Sequence, residues 1–198
     1  SLADWGEAHL AEPETEQVVL VADDNTRVNT MHTAWLEHAY TVRTASDGEE
    51  TLRHLDTDVG VVVLDRRMPG LSGDEVIDWI RSQQYDIRVV VVTSEDVDLD
   101  LLEMGFDEYL TKPVRQDELR AVVADLFERR TYDTQLQEYL GLRSKLGLLR
   151  AKYPDETLET HELYQQLRDR LKDLEPTEET FDGIDSEALK RVPVRGQQ

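Results

Sequence analysis

Five short aliphatic runs recur between residues 18 and 112, and they constrain the fold more than any other feature of the chain. They are VVLVA at 18–22, YTVRTA at 40–45, VGVVVLD at 59–65, IRVVVVT at 87–93 and FDEYLT at 106–111. Each has strand length. Two are nearly continuous Val and Leu, the pattern of strands covered on both faces in a parallel sheet rather than the alternation of a half-exposed antiparallel one. Between them lie amphipathic stretches near 25–38, 47–55, 73–82, 96–104 and 114–129, most beginning near an Asp, Ser or Thr suited to capping. Five strands alternating with five helices predict an α/β domain over 18–130, with a five-stranded parallel, doubly wound sheet.

After Arg130 the pattern changes. Apolar residues fall at Tyr132, Tyr139, Leu142, Leu146, Leu149 and Tyr153, and Pro154 ends that helix. A second helix near 156–174 places Tyr164, Leu167, Leu171 and Leu174 at steps of three and four. This predicts a small α-helical module over 131–175, either a hairpin with a tight turn or a coiled-coil segment, with packing inside one hairpin favoured because each stripe is short. The tyrosines at 132, 139 and 153 read as packing core rather than a base-stacking platform. Residues 1–17 read as a flexible acidic extension, and 176–198 as a loosely ordered tail ending in Lys190, Arg191 and Arg195.

The chain has 43 acidic and 22 basic residues, a formal net charge of −21. That excess argues against a general grip on nucleic acid or anionic lipid, which rests on Lys and Arg displacing counterions. Arg outnumbers Lys 17 to 5, and with the acid excess this fits a salt-loaded, halophilic cytoplasm, where self-repulsion is screened; an ordinary acidic protein is the alternative. Residues 1–130 carry a net charge of −17 and residues 131–198 only −4. No cysteine is present, which excludes disulfides, thiolate metal sites and Cys nucleophiles. No apolar run approaches a membrane span and no signal peptide is evident, so a cytoplasmic protein without a membrane partner is expected.

In an open parallel sheet, ligands gather at the carboxyl ends of the strands. Here those ends offer Asp23 and Asp24, Asp65, Thr93 and Lys112. Three clustered carboxylates repel one another unless a cation joins them, and an all-oxygen set without Cys or nearby His favours Mg²⁺. A carboxylate beside Mg²⁺, a hydroxyl and an ammonium group suit a phosphoryl group: Asp65 as nucleophile, with Lys112 and Thr93 meeting phosphoryl oxygens. No group looks placed to act as a general base for water, so an aspartyl phosphate should persist as a state. The chain is expected not to be a turnover enzyme.

Residues 18–130 resemble the receiver domain of two-component response regulators, through VADD at 21–24, VVLDRRMPGLSGDE at 62–75, VTS at 92–94 and YLTKP at 109–113. The resemblance implies a flavodoxin-like fold with Asp65 as phosphoacceptor. It also implies Asp24 as a direct Mg²⁺ ligand, Asp23 as a second acid acting partly through water, and the backbone carbonyl of Arg67 as a further ligand. Thr93 and Tyr109 would be the switch pair, Lys112 the phosphate contact, and Lys112–Pro113 a cis peptide. A sensor histidine kinase would be the phosphoryl donor. Residues 131–198 resemble the HalX domain through RRTYDTQLQEYLGLRSKLGLLRAKYP, a module whose biochemical role is poorly defined.

Two further positions flank the phosphate: Arg67, two after the phosphoacceptor, and Glu95, two after Thr93. They are expected to pair over the site and lengthen the phosphoryl lifetime. His32, His38 and His54 read as surface or boundary residues. Seven acids between Glu95 and Glu108, with no Lys or Arg among them, are either a solvated face or a surface awaiting a basic partner such as Arg115 and Arg120 of a second subunit. Output through the helical module is expected by interaction with a partner protein or by homodimerisation. The alternative is a transcriptional regulator whose module binds DNA through Arg143, Lys145, Arg150 and Lys152. A phosphatase of the haloacid-dehalogenase type is disfavoured, because it would want an acid where Arg67 stands.

Overall fold

A computed structural model describes residues 16–177, so most of the expected extension at 1–17 and of the expected tail at 176–198 lies outside the described residues. β1 (Val18–Ala22), β2 (Thr41–Ala45), β3 (Val59–Leu64), β4 (Arg88–Thr93) and β5 (Glu108–Thr111) form one parallel sheet in the order β2-β1-β3-β4-β5. β1 and β3 are buried along their whole length, as continuous aliphatic strands require. Their register sets Val21 opposite Val63 and Ala22 opposite Leu64, so the residues that follow, Asp23 and Asp65, emerge side by side.

The helices α1 (Thr26–Leu36), α2 (Gly48–His54), α3 (Gly73–Ser82) and α4 (Gln116–Arg129) cover the two faces. On one face Val19, Val21, Val61, Val63, Val90 and Val92 pack against Leu36 of α1 and Leu119, Val123 and Leu126 of α4. On the other, Leu20, Val62, Leu64, Val89 and Val91 meet Val76, Ile77 and Ile80 of α3. The alternation of odd and even positions is the pleat sorting each strand's side chains between two layers. Capping follows the sequence: Asn25 and Asp47 accept from the first turns of α1 and α2, and Ser72 with Glu75 forms a reciprocal capping box on α3.

One expected helix does not form. Residues near 96–104 make only a short 3-10 turn over Leu99–Glu103, capped by Asp98. An α-helix there would stack like charges four residues apart, Asp96 over Asp100, which destabilises an exposed helix. Asp98 is instead drawn toward Arg66.

The space beside that turn is filled by the C-terminal module. α5 (Thr134–Lys152) and α7 (Glu162–Asp173) form the hairpin, but a one-turn helix, α6 (Asp155–Leu158), replaces the expected tight connection after Pro154. Leu136, Tyr139, Leu140, Leu142 and Leu174 pack between the two long helices. Leu146, Leu149, Leu158 and Tyr164 instead belong to the same buried cluster as Leu101, Leu102, Phe106 and Tyr109 of the α/β domain. Burying one leucine this way is worth roughly 1.5–3 kcal/mol. The hairpin therefore shares a core with the sheet, and α5 packs against β5, the strand at the sheet's edge.

Candidate functional site

Asp23, Asp24 and Asp65 each bring one carboxylate oxygen into a group whose members lie within 4.8 Å of one another. The backbone holds them there: Asp65 N–H donates to the Ala22 carbonyl at 2.9 Å, and Asp23 N–H donates to the Ala45 carbonyl at 3.1 Å. Asn25 N–H donates to Asp23 Oδ1 at 2.8 Å and fixes its rotamer. Asp23 is buried and Asp24 is exposed, so the cluster is open on one side.

Lys112 closes it. Its Nζ lies 2.6 Å from Asp23 Oδ2 and 3.1 Å from Asp65 Oδ2. Burial works against the Lys112 charge, but the two carboxylates outweigh it and raise its pKa. Burial likewise raises the pKa of Asp23, and the Lys112 contact only partly offsets that. Lys112 N–H also donates to the Thr93 carbonyl at 2.8 Å, which brings the buried Thr93 to the same strand edge, and Lys112–Pro113 is cis. Arg67 N–H donates to Asp65 Oδ1 at 3.3 Å, so the Arg67 main chain lies beside the cluster. Gly73 lets α3 approach: a Cβ there would sit 2.5 Å from the Asp65 carbonyl oxygen. Three carboxylates against one ammonium leave two negative charges, and oxygen donors of this kind fit a hard divalent cation.

Tyr109 is buried, its ring 5.5 Å from that of Phe106, and its hydroxyl donates to the Glu95 carbonyl at 3.2 Å. Thr93 Oγ1 accepts from Glu95 N–H at 3.3 Å, so Thr93 and Tyr109 both bear on the same residue. Arg67 Nε lies 3.4 Å from Glu95 Oε1, with side chains 61% and 42% exposed, so the expected pair forms over the site.

Two residues next to this site escaped sequence reasoning. Arg66 stands in the sequence only as part of a motif, yet its side chain is 1% exposed and its guanidinium reaches Asp74 and Asp98, both at 3.2 Å. Burial opposes the charge, and the two aspartates overcome that and raise the pKa. His32 is a correction: it is 2% exposed against Trp35 rather than a surface or boundary residue, and burial, aided by Lys112, lowers its pKa to about 4. His38 is exposed and His54 half-buried.

The acidic stretch from Glu95 to Glu108 divides: Asp96, Asp100 and Glu103 stay exposed, while the other four acids pair within the chain. Glu95 meets Arg67, Asp98 meets Arg66, Asp107 meets Arg81 and Arg88, and Glu108 meets Arg129 and Ser144. Arg115 and Arg120 turn to Asp117 and to the Trp35 carbonyl of the same chain. The basic group of α5 is also turned inward in part: Lys145 is buried over Phe106, Arg150 donates to the Tyr164 hydroxyl, and Lys152 donates to the Val97 carbonyl. No helix among the described residues is long and apolar enough to cross a membrane.

Residues 19–124 match the family model of the response regulator receiver domain, and residues 128–192 match that of the HalX domain. A Haloferax volcanii protein provisionally named a transcriptional regulator is 40% identical over 158 residues, covering 79% of this chain and 27% of that relative. The alkaline phosphatase synthesis transcriptional regulatory protein PhoP of Bacillus subtilis is 37% identical over 116 residues, covering 56% of this chain and 48% of its own length. The chain thus spans about a quarter to a half of the length of these curated relatives. Among solved structures, the response regulator TrrA of Thermotoga maritima in complex with Mg²⁺–BeF is 32% identical with a TM-score of 0.50, covering 56% of this chain and 98% of its own.

Proposed function

The chain belongs to the response regulator receiver family and carries a HalX domain behind the receiver, and from that premise we propose that it accepts a phosphoryl group on Asp65 from a sensor histidine kinase. The observation that carries this reading is the cluster of Asp23, Asp24 and Asp65 closed by Lys112. A carboxylate oxygen of Asp65 bonds to phosphorus as the phosphorus–nitrogen bond of a phosphohistidine breaks, and the departing imidazole nitrogen keeps the electron pair. Lys112 and the Thr93 hydroxyl meet the oxygens of the transferred group. Mg²⁺, held by Asp23, Asp24, Asp65 and the Arg67 carbonyl, would supply the positive charge that offsets these oxygens.

The phosphorylated chain serves as a signal state rather than a turnover intermediate, since Arg67 stands where a phosphatase of this chemistry would want a second acid. Phosphate contact with Thr93 shifts a balance between arrangements of Thr93, Glu95 and Tyr109, and the hairpin core that includes Tyr109 receives the change directly. Output then runs through the hairpin by protein contact, with a partner or a second copy. Direct DNA binding through the basic group of α5 is less well supported, because Arg150 and Lys152 are engaged within the molecule and the Lys145 side chain is buried.

Treatment with a small phosphodonor, with and without Mg²⁺, tests the reading. Intact-mass measurement should show one added phosphoryl group that requires Mg²⁺ and is absent in Asp65→Asn. Label on Asp65→Asn equal to wild type would refute it. DNA retention that falls steeply with salt and disappears on changing Arg150 and Lys152 would move the output to DNA.

A further inference from the structure

At the end of the sheet opposite Asp65, the hairpin and the receiver leave a cavity of about 340 Å³ between α5, Arg81 of α3, Arg88 at the start of β4 and the residues 105–107 that lead into β5. Three cations line it, Arg81, Arg88 and Lys145, in a chain whose formal net charge is −21. Two carboxylates line it as well, and both are already engaged. Asp107 accepts from Arg81 at 2.9 Å and from Arg88 at 3.0 Å, while Glu138 pairs with Arg170 of α7 at 2.8 Å.

Two donors remain. Lys145 is 8% exposed, and its ammonium has no hydrogen-bond or ion-pair partner among the described residues; its neighbour is the Phe106 ring, 5.5 Å from Nζ. Arg88 Nε is buried and also lacks a partner. Asp107 is the acid that favours the Lys145 charge, but its oxygens are taken by Arg81 and Arg88, and a largely buried ammonium with no direct partner is costly, as is an orphaned guanidinium N–H. That both border one cavity, one from each module, is the arrangement an anion would resolve.

We propose that this cavity binds a small oxyanion of the phosphate or carboxylate class, bridging Lys145 on the hairpin and Arg88 on the receiver. Lys145 provides a compact positive charge and Arg88 a directed N–H, the two kinds of donor that such anions take in charge-assisted bonds. Because its partners lie on two modules, the bound anion holds α5 against the start of β4. The site is independent of Asp65 and of Mg²⁺, so its failure would leave the phosphorylation reading untouched.

The test uses the full chain without Mg²⁺, titrated with inorganic phosphate and, separately, with acetate at constant ionic strength. Binding is read by calorimetry and by thermal shift. Saturable binding of at least one anion is expected, unchanged in Asp65→Asn and weakened at least about tenfold in Lys145→Met. Lys145→Arg, which keeps the charge, should retain it. Phosphate alone, acetate alone or both then identifies which oxyanion the cavity prefers. No saturable binding of either to the wild type overturns the proposal, as does equal binding by Lys145→Met or a thermal shift that chloride reproduces at the same ionic strength.

Discussion

Arg66 Nη1 lies 3.2 Å from Asp98 Oδ2, which ties the residue after the phosphoacceptor to the loop that carries the 3-10 turn. The same loop accepts Lys152 of the hairpin at the Val97 carbonyl. Arg66, the residue next to Asp65, is thus linked through this loop to the hairpin. Arg66→Met keeps most of the side-chain volume but leaves Asp74 and Asp98 to water. Loss of these charged hydrogen bonds should cost about 2–3 kcal/mol in urea unfolding. Phosphorylation of Asp65 should survive, while any phosphorylation-dependent change in hydrogen exchange over α5 should shrink; an unaltered α5 response would break the link.

That tie also marks how far the sequence could be read. The strand runs and the residues ending them located Asp23, Asp24, Asp65, Thr93 and Lys112, because a parallel sheet converts local runs into a shared carboxyl edge. Arg66 left no local signal: its partners lie 8 and 32 residues away, and only the folded chain brings them in. The region 96–104 has apolar residues at helical spacing, yet Asp98 caps a 3-10 turn and reaches Arg66 instead. His32 looked like a boundary residue because one histidine on a short helix does not report its burial. The split of the α5 stripe between two cores was illegible for the same reason, since Leu142 and Leu146 are alike in sequence and differ only in what packs against them.

Among the described residues, Lys112 is the only basic residue bonded to members of the acid cluster, and it bonds to Asp23 and Asp65. Lys112→Met should therefore destabilise the metal-free chain by about 3 kcal/mol, the order expected when one partner of a buried charge pair is removed. Added Mg²⁺ should raise the melting temperature of the variant more than that of wild type. Equal shifts would mean that Lys112 and the cation do not offset the same charge.

The Arg67–Glu95 pair is too exposed to matter much for stability, so Arg67→Ala should cost under about 1 kcal/mol. Its effect belongs to kinetics. The phosphoryl group on Asp65 should decay several times faster in Arg67→Ala at moderate salt. The difference should narrow near molar salt, where screening falls to about 3 Å and an exposed pair loses its hold. Identical lifetimes at matched salt would remove Arg67 from any role in shielding the phosphate.

Lys145 gives a pH signature. Burial, reinforced by Arg81 and opposed by Asp107, lowers its pKa from 10.5 to about 8. The unfolded chain therefore binds more protons than the folded one between pH 8 and 10.5, and stability contributed by this group rises with pH across that window. Below pH 8 the charged form carries the full penalty, about 3 kcal/mol. Without oxyanions, Lys145→Met should be more stable than wild type at pH 7, and the gap should close by pH 10.5. A gap that does not change with pH would show Lys145 to be solvated in the folded protein.

Leu146 and Leu149 are both fully buried, and their neighbours in the cluster include Ile77, Ile80 and Leu101 of the receiver. If the hairpin were a separate module resting on the receiver, Leu146→Ala would loosen α5 and leave the sheet unchanged. A shared core makes a different demand: the cavity is felt by both parts, so the variant should lose about 2–5 kcal/mol in a single cooperative transition. Far-ultraviolet dichroism, which follows the helices, and Trp79 fluorescence, which follows α3 once Trp5 and Trp35 are replaced by Phe, should then give coincident midpoints. Because Tyr109 lies in that same cluster, weakening it at Leu146 should also change how far phosphorylation protects the amides of β5. Separate transitions for α5 and α3 would return the hairpin to the status of an appended domain and require the signal to leave the receiver by another surface.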